Sequence, residues 1–182
     1  NVTYESLAGT SVPRDFVELP SQIMENWAAE PEVMRIYAKH YKTGQVIPDA
    51  LIEKMQKAGT FDQGFATTEY LAASILDMQY HTQKAAITVD AETFEKEAMT
   101  KINLPNTIIP RYRSTYFNHI FAGGYSAGYY SYIWSGVLDT DAFEVFKING
   151  LFNSDYAKSF RKNVLEKGGT EDPMELYKSF RG

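Results

Sequence analysis

Residues 119–132 read His-Ile-Phe-Ala-Gly-Gly-Tyr-Ser-Ala-Gly-Tyr-Tyr-Ser-Tyr, a dense run of aromatic and small residues. If a helix begins directly after the glycine pair, Tyr125, Tyr129 and Tyr132 fall at positions i, i+4 and i+7 and share one face. The glycine pair favours a turn with positive φ, or a loop that lies against an extended ligand. The alternative is a buried aromatic helix in which each tyrosine packs its ring and hydrogen-bonds its hydroxyl.

A second face of the same predicted helix carries only small residues, namely Gly124, Gly128, Ser131 and Ser135. Side chains of this size allow a neighbouring backbone to approach closely. We predict that this helix continues to Leu138.

The rest of the chain predicts an all-α fold in which residues 1–182 form a single helical region. Apolar residues recur at helical spacing, and no stretch is a convincing strand. Pro20 removes a backbone donor, so the first helix is expected to break or kink there. Asp172 before Pro173 is typical of a helix start, with an N-cap and a proline at the first position. The predicted helices cover 14–30, 31–40, 48–58, 61–86, 90–101, 125–138, 139–150, 154–167 and 172 onward.

Two of these helices carry apolar residues that we expect to face a core. In the helix at 48–58 they are Leu51, Ile52 and Met55. In the long helix at 61–86 they are Phe61, Phe65, Leu71, Ile75 and Met78. Asp77 and His81 lie one turn apart in that helix, and the spacing favours an ion pair or a buried hydrogen bond over a pair of metal ligands.

Composition excludes several classes of function. The net charge is -5 with both signs interspersed, which argues against a nucleic-acid partner. The chain has no cysteine, so disulfides and thiolate metal sites are excluded. No apolar run approaches the roughly 20 residues that a membrane span needs, so we expect no membrane partner. The first residue is Asn1, so the chain is expected to begin inside a longer product; we expect a cytoplasmic protein, with the periplasm left open.

Motifs distributed along almost the whole chain resemble one protein family. They are Pro-Arg-Asp-Phe-Val-Glu-Leu-Pro-Ser-Gln at 13–22, Leu-Asp-Met at 76–78, Pro-Arg-Tyr-Arg-Ser-Thr-Tyr-Phe at 110–117, the tyrosine stretch, and Leu-Tyr at 176–177. In this order they resemble the C-terminal segment of the zinc peptidases of the thimet oligopeptidase family, particularly its bacterial peptidyl-dipeptidase branch. The resemblance implies a helical part of a zincin-like catalytic domain.

The resemblance also implies a zinc site to which this chain contributes one ligand. The family holds zinc with a His-Glu-x-x-His helix and a later glutamate, and Glu18 stands in the matching context. Glu25 is implied as a partner that orients a histidine ligand, although Glu18, Gln22 and Glu25 also fit a solvated helix face. The histidine pair is absent, and His40, His81 and His119 are isolated from one another. We therefore expect a C-terminal fragment that is inactive alone, holds no catalytic zinc, and pairs with the missing N-terminal portion.

For the transition state, the resemblance implies Tyr132 as the donor to the oxyanion, with Tyr125 and His119 on the substrate backbone and leaving-group side. Tyr129 falls on the same face by helical spacing and is a further candidate, and Gly123 and Gly124 are expected to form the loop beside the peptide. The resemblance implies short peptides as substrates.

Arg111 and Arg113 are candidates for gripping the C-terminal carboxylate of a substrate, because guanidinium pairs bidentately with carboxylate. Either arginine fits a structural ion pair equally well. An enzyme that releases C-terminal dipeptides needs to bind this carboxylate, and an endopeptidase does not. Because both roles of the arginines remain open, the sequence leaves the cleavage mode open as well. The rival interpretation of the whole chain is a helical module without catalysis that binds peptides or a partner through its tyrosines.

Overall fold

The structure, a computed structural model, describes residues 2–8 and 10–182, in which the regular elements are helices and no strand is formed, which confirms the all-α prediction. Within those residues the only extended pairing is an isolated antiparallel bridge between Lys39 and Val46. In the same residues, no helix combines the length and the apolar character that crossing a membrane would require.

The helices belong to two compact units. The terminal unit comprises Asn1–Ile52 and Ser131–Gly182, and the central unit comprises Glu53–Tyr130. The α-helices of the described residues are α1 (Arg14–Val17), α2 (Leu19–Ala29), α3 (Pro31–Tyr37), α4 (Asp49–Ala58), α5 (Gln63–His81), α6 (Ala91–Lys101), α7 (Asn118–Phe121), α8 (Ser131–Asn149), α9 (Ser154–Phe160) and α10 (Pro173–Arg181). Shorter turns of helix are the 3₁₀ segments Glu5–Leu7 and Ser114–Tyr116 and the π segment Arg161–Leu165.

The core of the terminal unit forms where α1 and α2 pack along α8. The break between α1 and α2 confirms the interruption predicted at Pro20, which lies in the first turn of α2. Trp27 stands edge-on to Phe143, with ring centroids 4.6 Å apart, and its Nε1 donates to the carbonyl of Leu151 at 2.8 Å. The buried side chains of this core are Phe16, Leu19, Ile23, Leu138, Ala142, Phe143, Val145, Phe146, Phe160, Val164, Leu176, Tyr177 and Phe180.

Several hydrogen bonds join α10 to α8. The hydroxyl of Tyr177 donates to Asp141 Oδ2 at 2.6 Å and to the carbonyl of Leu138 at 3.0 Å. Arg181 donates to the same carboxylate from Nε at 2.9 Å and from Nη2 at 3.0 Å. Hydrogen bonds from Arg181 and Tyr177 hold the pKa of Asp141 below its usual value. The predicted start of α10 is confirmed, because the Asp172 side chain caps it by accepting from the Met174 N–H at 2.9 Å.

The buried faces of α4 and α5 differ from the predicted ones. Helix α5 buries Ala72, Ala73 and Leu76, whereas the larger Phe61, Phe65, Leu71 and Met78 are exposed and Ile75 is half-buried. The prediction placed the large apolar side chains in the core because they recur at helical spacing. The face that is buried carries alanine instead, which lets neighbouring segments pack more closely. In α4, Ile52 is buried as expected while Leu51 and Met55 are exposed.

One helix replaces two in the middle of the sequence. We predicted a boundary between Leu138 and Asp139, but α8 runs without a break from Ser131 to Asn149. The prediction was wrong because Asp139 does not cap a helix; its buried carboxylate accepts hydrogen bonds from side chains of α2.

Candidate functional site

The residues singled out from the sequence fall in both units. Glu18, Glu25 and Tyr132 belong to the terminal unit. The central unit carries the remaining candidates, which are Arg111, Arg113, His119, Gly123, Gly124, Tyr125 and Tyr129.

Glu18 occupies the junction at which α1 ends and α2 begins. Its backbone conformation, φ -88° and ψ -6°, belongs to neither regular helix, and the side chain is half-buried. The hydroxyl of Ser21 donates to Glu18 Oε2 at 2.6 Å. A carboxylate oriented by a neighbouring hydroxyl in this way is typical of metal ligands, which are usually hydrogen-bonded themselves.

The polar face of α2 is turned toward α8 at Gln22. Gln22 Nε2 donates to the backbone carbonyl of Tyr132 at 3.1 Å and to Asp139 Oδ2 at 3.2 Å. Asn26 Nδ2 donates to Asp139 Oδ1 at 3.0 Å. We call Gln22, Asn26 and Asp139 the amide clamp. A solvated face is therefore the wrong interpretation for Gln22, whereas Glu25 is exposed.

Removing the carboxylate of the amide clamp is expected to destabilise the protein. Asp139→Ala removes the buried carboxylate to which the amides of Gln22 and Asn26 both donate, and we expect this loss to cost about 2 kcal/mol. Asp139→Asn keeps one acceptor and is expected to cost about half as much. Thermal melting measures both, with Glu144→Gln on the exposed side of the same helix as a control that changes stability by less than about 0.5 kcal/mol. Equal melting temperatures for Asp139→Ala and the control would contradict this role.

The tyrosine stretch is not a helix from Tyr125 onward, and this prediction was wrong. Residues 122–130, here called the tyrosine loop, are bends and turns, and α8 begins only at Ser131. Ala127 has φ 52°, a left-handed conformation that a right-handed helix cannot contain. Tyr125, Tyr129 and Tyr132 therefore do not share a helix face. Of the predicted small-residue face, Gly124 and Gly128 lie in the loop, and only Ser131 and Ser135 lie in α8, where buried Ser135 donates from its hydroxyl to the carbonyl of Asp15 at 3.4 Å.

The glycine pair forms the predicted turn. Gly124 has φ 81°, in the region that favours glycine. At Gly123, a Cβ atom would lie 2.8 Å from the Cα of His119, closer than two such atoms can come. The tyrosine loop folds back tightly on α7, and the Tyr125 N–H donates to the carbonyl of His119 at 2.9 Å.

His119, Tyr125 and Tyr129 come together in a cluster of rings within the central unit. The His119 ring lies 6.2 Å from that of Tyr125 and 5.6 Å from that of Tyr129, centroid to centroid. Sequence reasoning missed Tyr112, whose ring is only 4.7 Å from His119 and stacks on buried Phe117. Tyr112 lies within the sequence motif at 110–117, and this was the feature from which it could have been selected as a candidate.

Tyr129 is buried in this cluster, 3% exposed. Burial, more than any neighbouring group, raises the pKa of its hydroxyl, so the group stays protonated and a donor. Its burial fits the packing alternative that the sequence had left open. Tyr125 is less enclosed, at intermediate exposure.

The two arginines differ in their surroundings. Arg113 Nε donates to Oε1 of the buried Glu95, whose other oxygen accepts from the Ser114 N–H at 2.7 Å. This is the structural ion pair that the sequence offered as an alternative. Arg111 is exposed, with its guanidinium carbon 5.5 Å from the ring centre of Tyr70.

Among residues 2–8 and 10–182, no group of three His, Asp or Glu side chains is arranged to hold a metal ion. Asp77 and His81 contact one another across one turn of α5, as the spacing predicted, with His81 Nδ1 2.8 Å from Asp77 Oδ1. A metal centre built on Glu18 would therefore need further ligands that the described residues do not group with it.

Comparisons with known proteins agree on one family. Residues 1–182 match the family model described as Peptidase family M3. The chain is 43% identical over 181 residues to dipeptidyl carboxypeptidase of Escherichia coli, an alignment that covers 98% of this chain and 27% of that protein. It is 40% identical over 178 residues to oligopeptidase A of Escherichia coli, covering 95% and 26%. To saccharolysin of Saccharomyces cerevisiae it is 33% identical over 175 residues, covering 94% and 24%. The chain spans about a quarter of the length of these curated relatives.

Proposed function

This chain belongs to peptidase family M3, and from that premise we propose that it is part of a zinc-dependent oligopeptidase that hydrolyses short peptides. The observation that carries the proposal is the match to that family over all 182 residues, with relatives named as peptidases at 40% identity or more. The place of Glu18 at the junction of α1 and α2, with its carboxylate held by Ser21, adds a structural reason.

In this proposal Glu18 supplies one oxygen ligand to the zinc ion. A half-buried carboxylate oriented by a hydroxyl fits that role, and the remaining ligands come from outside the described residues. Glu25, exposed on α2, is proposed to orient one of those ligands. A zinc ion held in part by Glu18 would supply Lewis-acid chemistry for the hydrolysis of a peptide bond.

Tyr132 is proposed to donate a hydrogen bond to the oxyanion that develops during peptide hydrolysis. An ordinary phenol is protonated at neutral pH and is therefore a donor. The amide clamp fixes the backbone of this residue through its carbonyl, and a fixed donor avoids reorganisation in the transition state. Tyr125 and His119 are proposed to bind the substrate backbone and the leaving-group side, with Gly123 and Gly124 alongside the peptide.

A grip on the C-terminal carboxylate of the substrate would explain dipeptide release. Arg111 is the better candidate of the two arginines, because it is exposed while Arg113 is engaged with buried Glu95. The relative at 43% identity is named a dipeptidyl carboxypeptidase and the one at 40% an oligopeptidase.

The remainder of a longer protein is proposed as the partner of this chain. Large apolar side chains stand exposed on and beside α5, including Phe61 at 76% exposure. An apolar surface of this kind is typical of an interface that another segment covers.

The proposal is tested by purifying the full-length gene product and measuring its zinc content and its hydrolysis of short peptides. We expect about one zinc per chain and metal-dependent cleavage. Amidating the C-terminus of the peptide should slow cleavage roughly tenfold or more if the carboxylate is gripped. A protein that binds peptides without cleaving them, with or without zinc, would favour the non-catalytic module instead.

A further inference from the structure

The tyrosine loop is held by a carboxylate that lies 50 residues earlier in the chain. The N–H of Ala127 donates to Asp77 Oδ1 at 2.9 Å, and the N–H of Tyr129 donates to Asp77 Oδ2 at 2.8 Å. Asp77 is fully buried in α5, at 0% exposure, and all three residues belong to the central unit. Each oxygen of one carboxylate therefore takes one N–H of the loop, which fixes both the position and the orientation of the segment between them.

The loop needs this support because its backbone conformation is unfavourable by itself. Ala127 adopts a left-handed conformation, which is unfavourable for a residue with a Cβ. The N–H groups of half-buried Ala127 and buried Tyr129 would also lose their acceptor if the carboxylate were absent. The two hydrogen bonds to the Asp77 oxygens, at 2.9 and 2.8 Å, offset both of these unfavourable terms.

Asp77 is itself held rigidly. His81, one turn later, places Nδ1 2.8 Å from Asp77 Oδ1 and 2.9 Å from the Asp77 carbonyl oxygen. Next to Asp77, Leu76 is fully buried, as are Ala72 and Ala73 one turn earlier, so this part of α5 is anchored in the unit. The backbone of Asp77 is therefore held by the packing of α5, and its side-chain rotamer is held by His81.

The loop that Asp77 holds carries the candidate substrate residues. Tyr125 and Tyr129 flank Ala127 by two residues on either side, and the rings of both approach that of His119. We propose that Asp77 is a positioning residue for peptide hydrolysis, whose carboxylate sets the conformation of the tyrosine loop without touching the substrate. This inference rests on the proposed function.

The experiment replaces Asp77 by asparagine in the full-length gene product. The amide has the same shape, but it can accept only one of the two N–H groups and turns its own N–H₂ toward the other. We expect backbone amides of residues 122–130 to exchange hydrogen at least tenfold faster, while the exchange of α8 is unchanged. We expect kcat to fall roughly 10- to 100-fold with a smaller change in KM.

A double-mutant cycle tests whether Asp77 acts through the loop. Removing the Tyr125 hydroxyl with Tyr125→Phe should cost less activity in the Asp77→Asn background than in the wild type. The effects are not additive if Asp77 acts by positioning Tyr125, because Asp77→Asn has already displaced that hydroxyl. The matched control is Asp141→Asn, which alters a carboxylate of the terminal unit that binds Tyr177 and Arg181. It should lower the melting temperature and leave kcat unchanged.

If Asp77→Asn fails to fold, His81→Ala provides a milder change, since it removes only the group that fixes the carboxylate. It should accelerate exchange in the loop two- to fivefold and lower kcat in proportion. Unchanged exchange of residues 122–130, or faster exchange with kcat unchanged, would overturn the proposal. Absence of hydrolysis by the wild type would instead overturn the proposed function, and exchange would still decide whether Asp77 holds the loop.

Discussion

Replacing Glu18 by alanine in the full-length gene product is expected to remove nearly all bound zinc and peptidase activity. A catalytic zinc site has three protein ligands, so losing one of them weakens binding strongly. Loss of an outer-shell partner alone costs 10- to 100-fold in affinity or activity, so we expect at least a roughly 100-fold loss here. Zinc content after dialysis and kcat/KM for a short peptide measure the two effects.

The fold should tolerate this change. The Glu18 carboxylate accepts from Ser21 near the surface, and the interruption of the helix at this point comes from Pro20. Glu32→Ala, at an exposed position in the first turn of α3, is the matched control and should keep both metal and activity. Full zinc content and turnover in Glu18→Ala would show that another residue is the ligand.

Replacing Tyr132 by phenylalanine is expected to lower kcat roughly 100-fold or more while KM changes little. The substitution removes one hydroxyl, and a donor that acts only on the developing oxyanion affects the transition state more than the ground state. The clamp contact at this residue uses its backbone carbonyl, so it survives the substitution. Steady-state kinetics on the zinc-loaded protein, together with a melting curve, measure the outcome.

For a tyrosine with a structural role, loss of the hydroxyl should lower stability and leave kcat unchanged. Tyr177→Phe serves as the comparison. Its hydroxyl donates to Asp141 and to the Leu138 carbonyl, so its removal should cost about 1 kcal/mol of stability with kcat nearly unchanged. If Tyr132→Phe behaves like Tyr177→Phe, Tyr132 belongs to the packing of the terminal unit and not to the catalytic machinery.

The helix termini were predictable where local chemistry decides them. Asp90 and Asp172 cap α6 and α10 with their own side chains, and Pro20 and Pro31 stand in the first turns of α2 and α3. Each of these signals acts within one turn of helix, which is the range over which a sequence can be interpreted without knowing its fold.

Predictions failed where a distant side chain overrides the local preference. The tyrosine loop has good helical spacing, yet Asp77 satisfies its N–H groups and holds Ala127 in a left-handed conformation. Asp139 similarly forms no cap, because Gln22 and Asn26 supply its donors. An aspartate inside an otherwise apolar segment was the available signal for Asp77, since a buried carboxylate must have hydrogen-bond partners.

The candidate site was predictable as a set of residue types, through the motifs, but not as an arrangement. The sequence suggested a common face for Tyr125, Tyr129 and Tyr132, and only the structure shows that the first two lie in a loop and the third in α8. The amide clamp could not be predicted, because it joins residues more than 100 positions apart.

The amide clamp has a consequence for motion. It ties α2, which begins beside Glu18, to the first turn of α8, which carries Tyr132, and both helices share one apolar core. Enzymes commonly open and close around their substrates on microsecond to millisecond timescales. If Glu18 and Tyr132 act as proposed, the metal ligand and the oxyanion donor travel together as a rigid body during such opening. The distance between Glu18 and Tyr132 would then stay constant throughout the catalytic cycle. A slow conformational step would have to involve other parts of the enzyme.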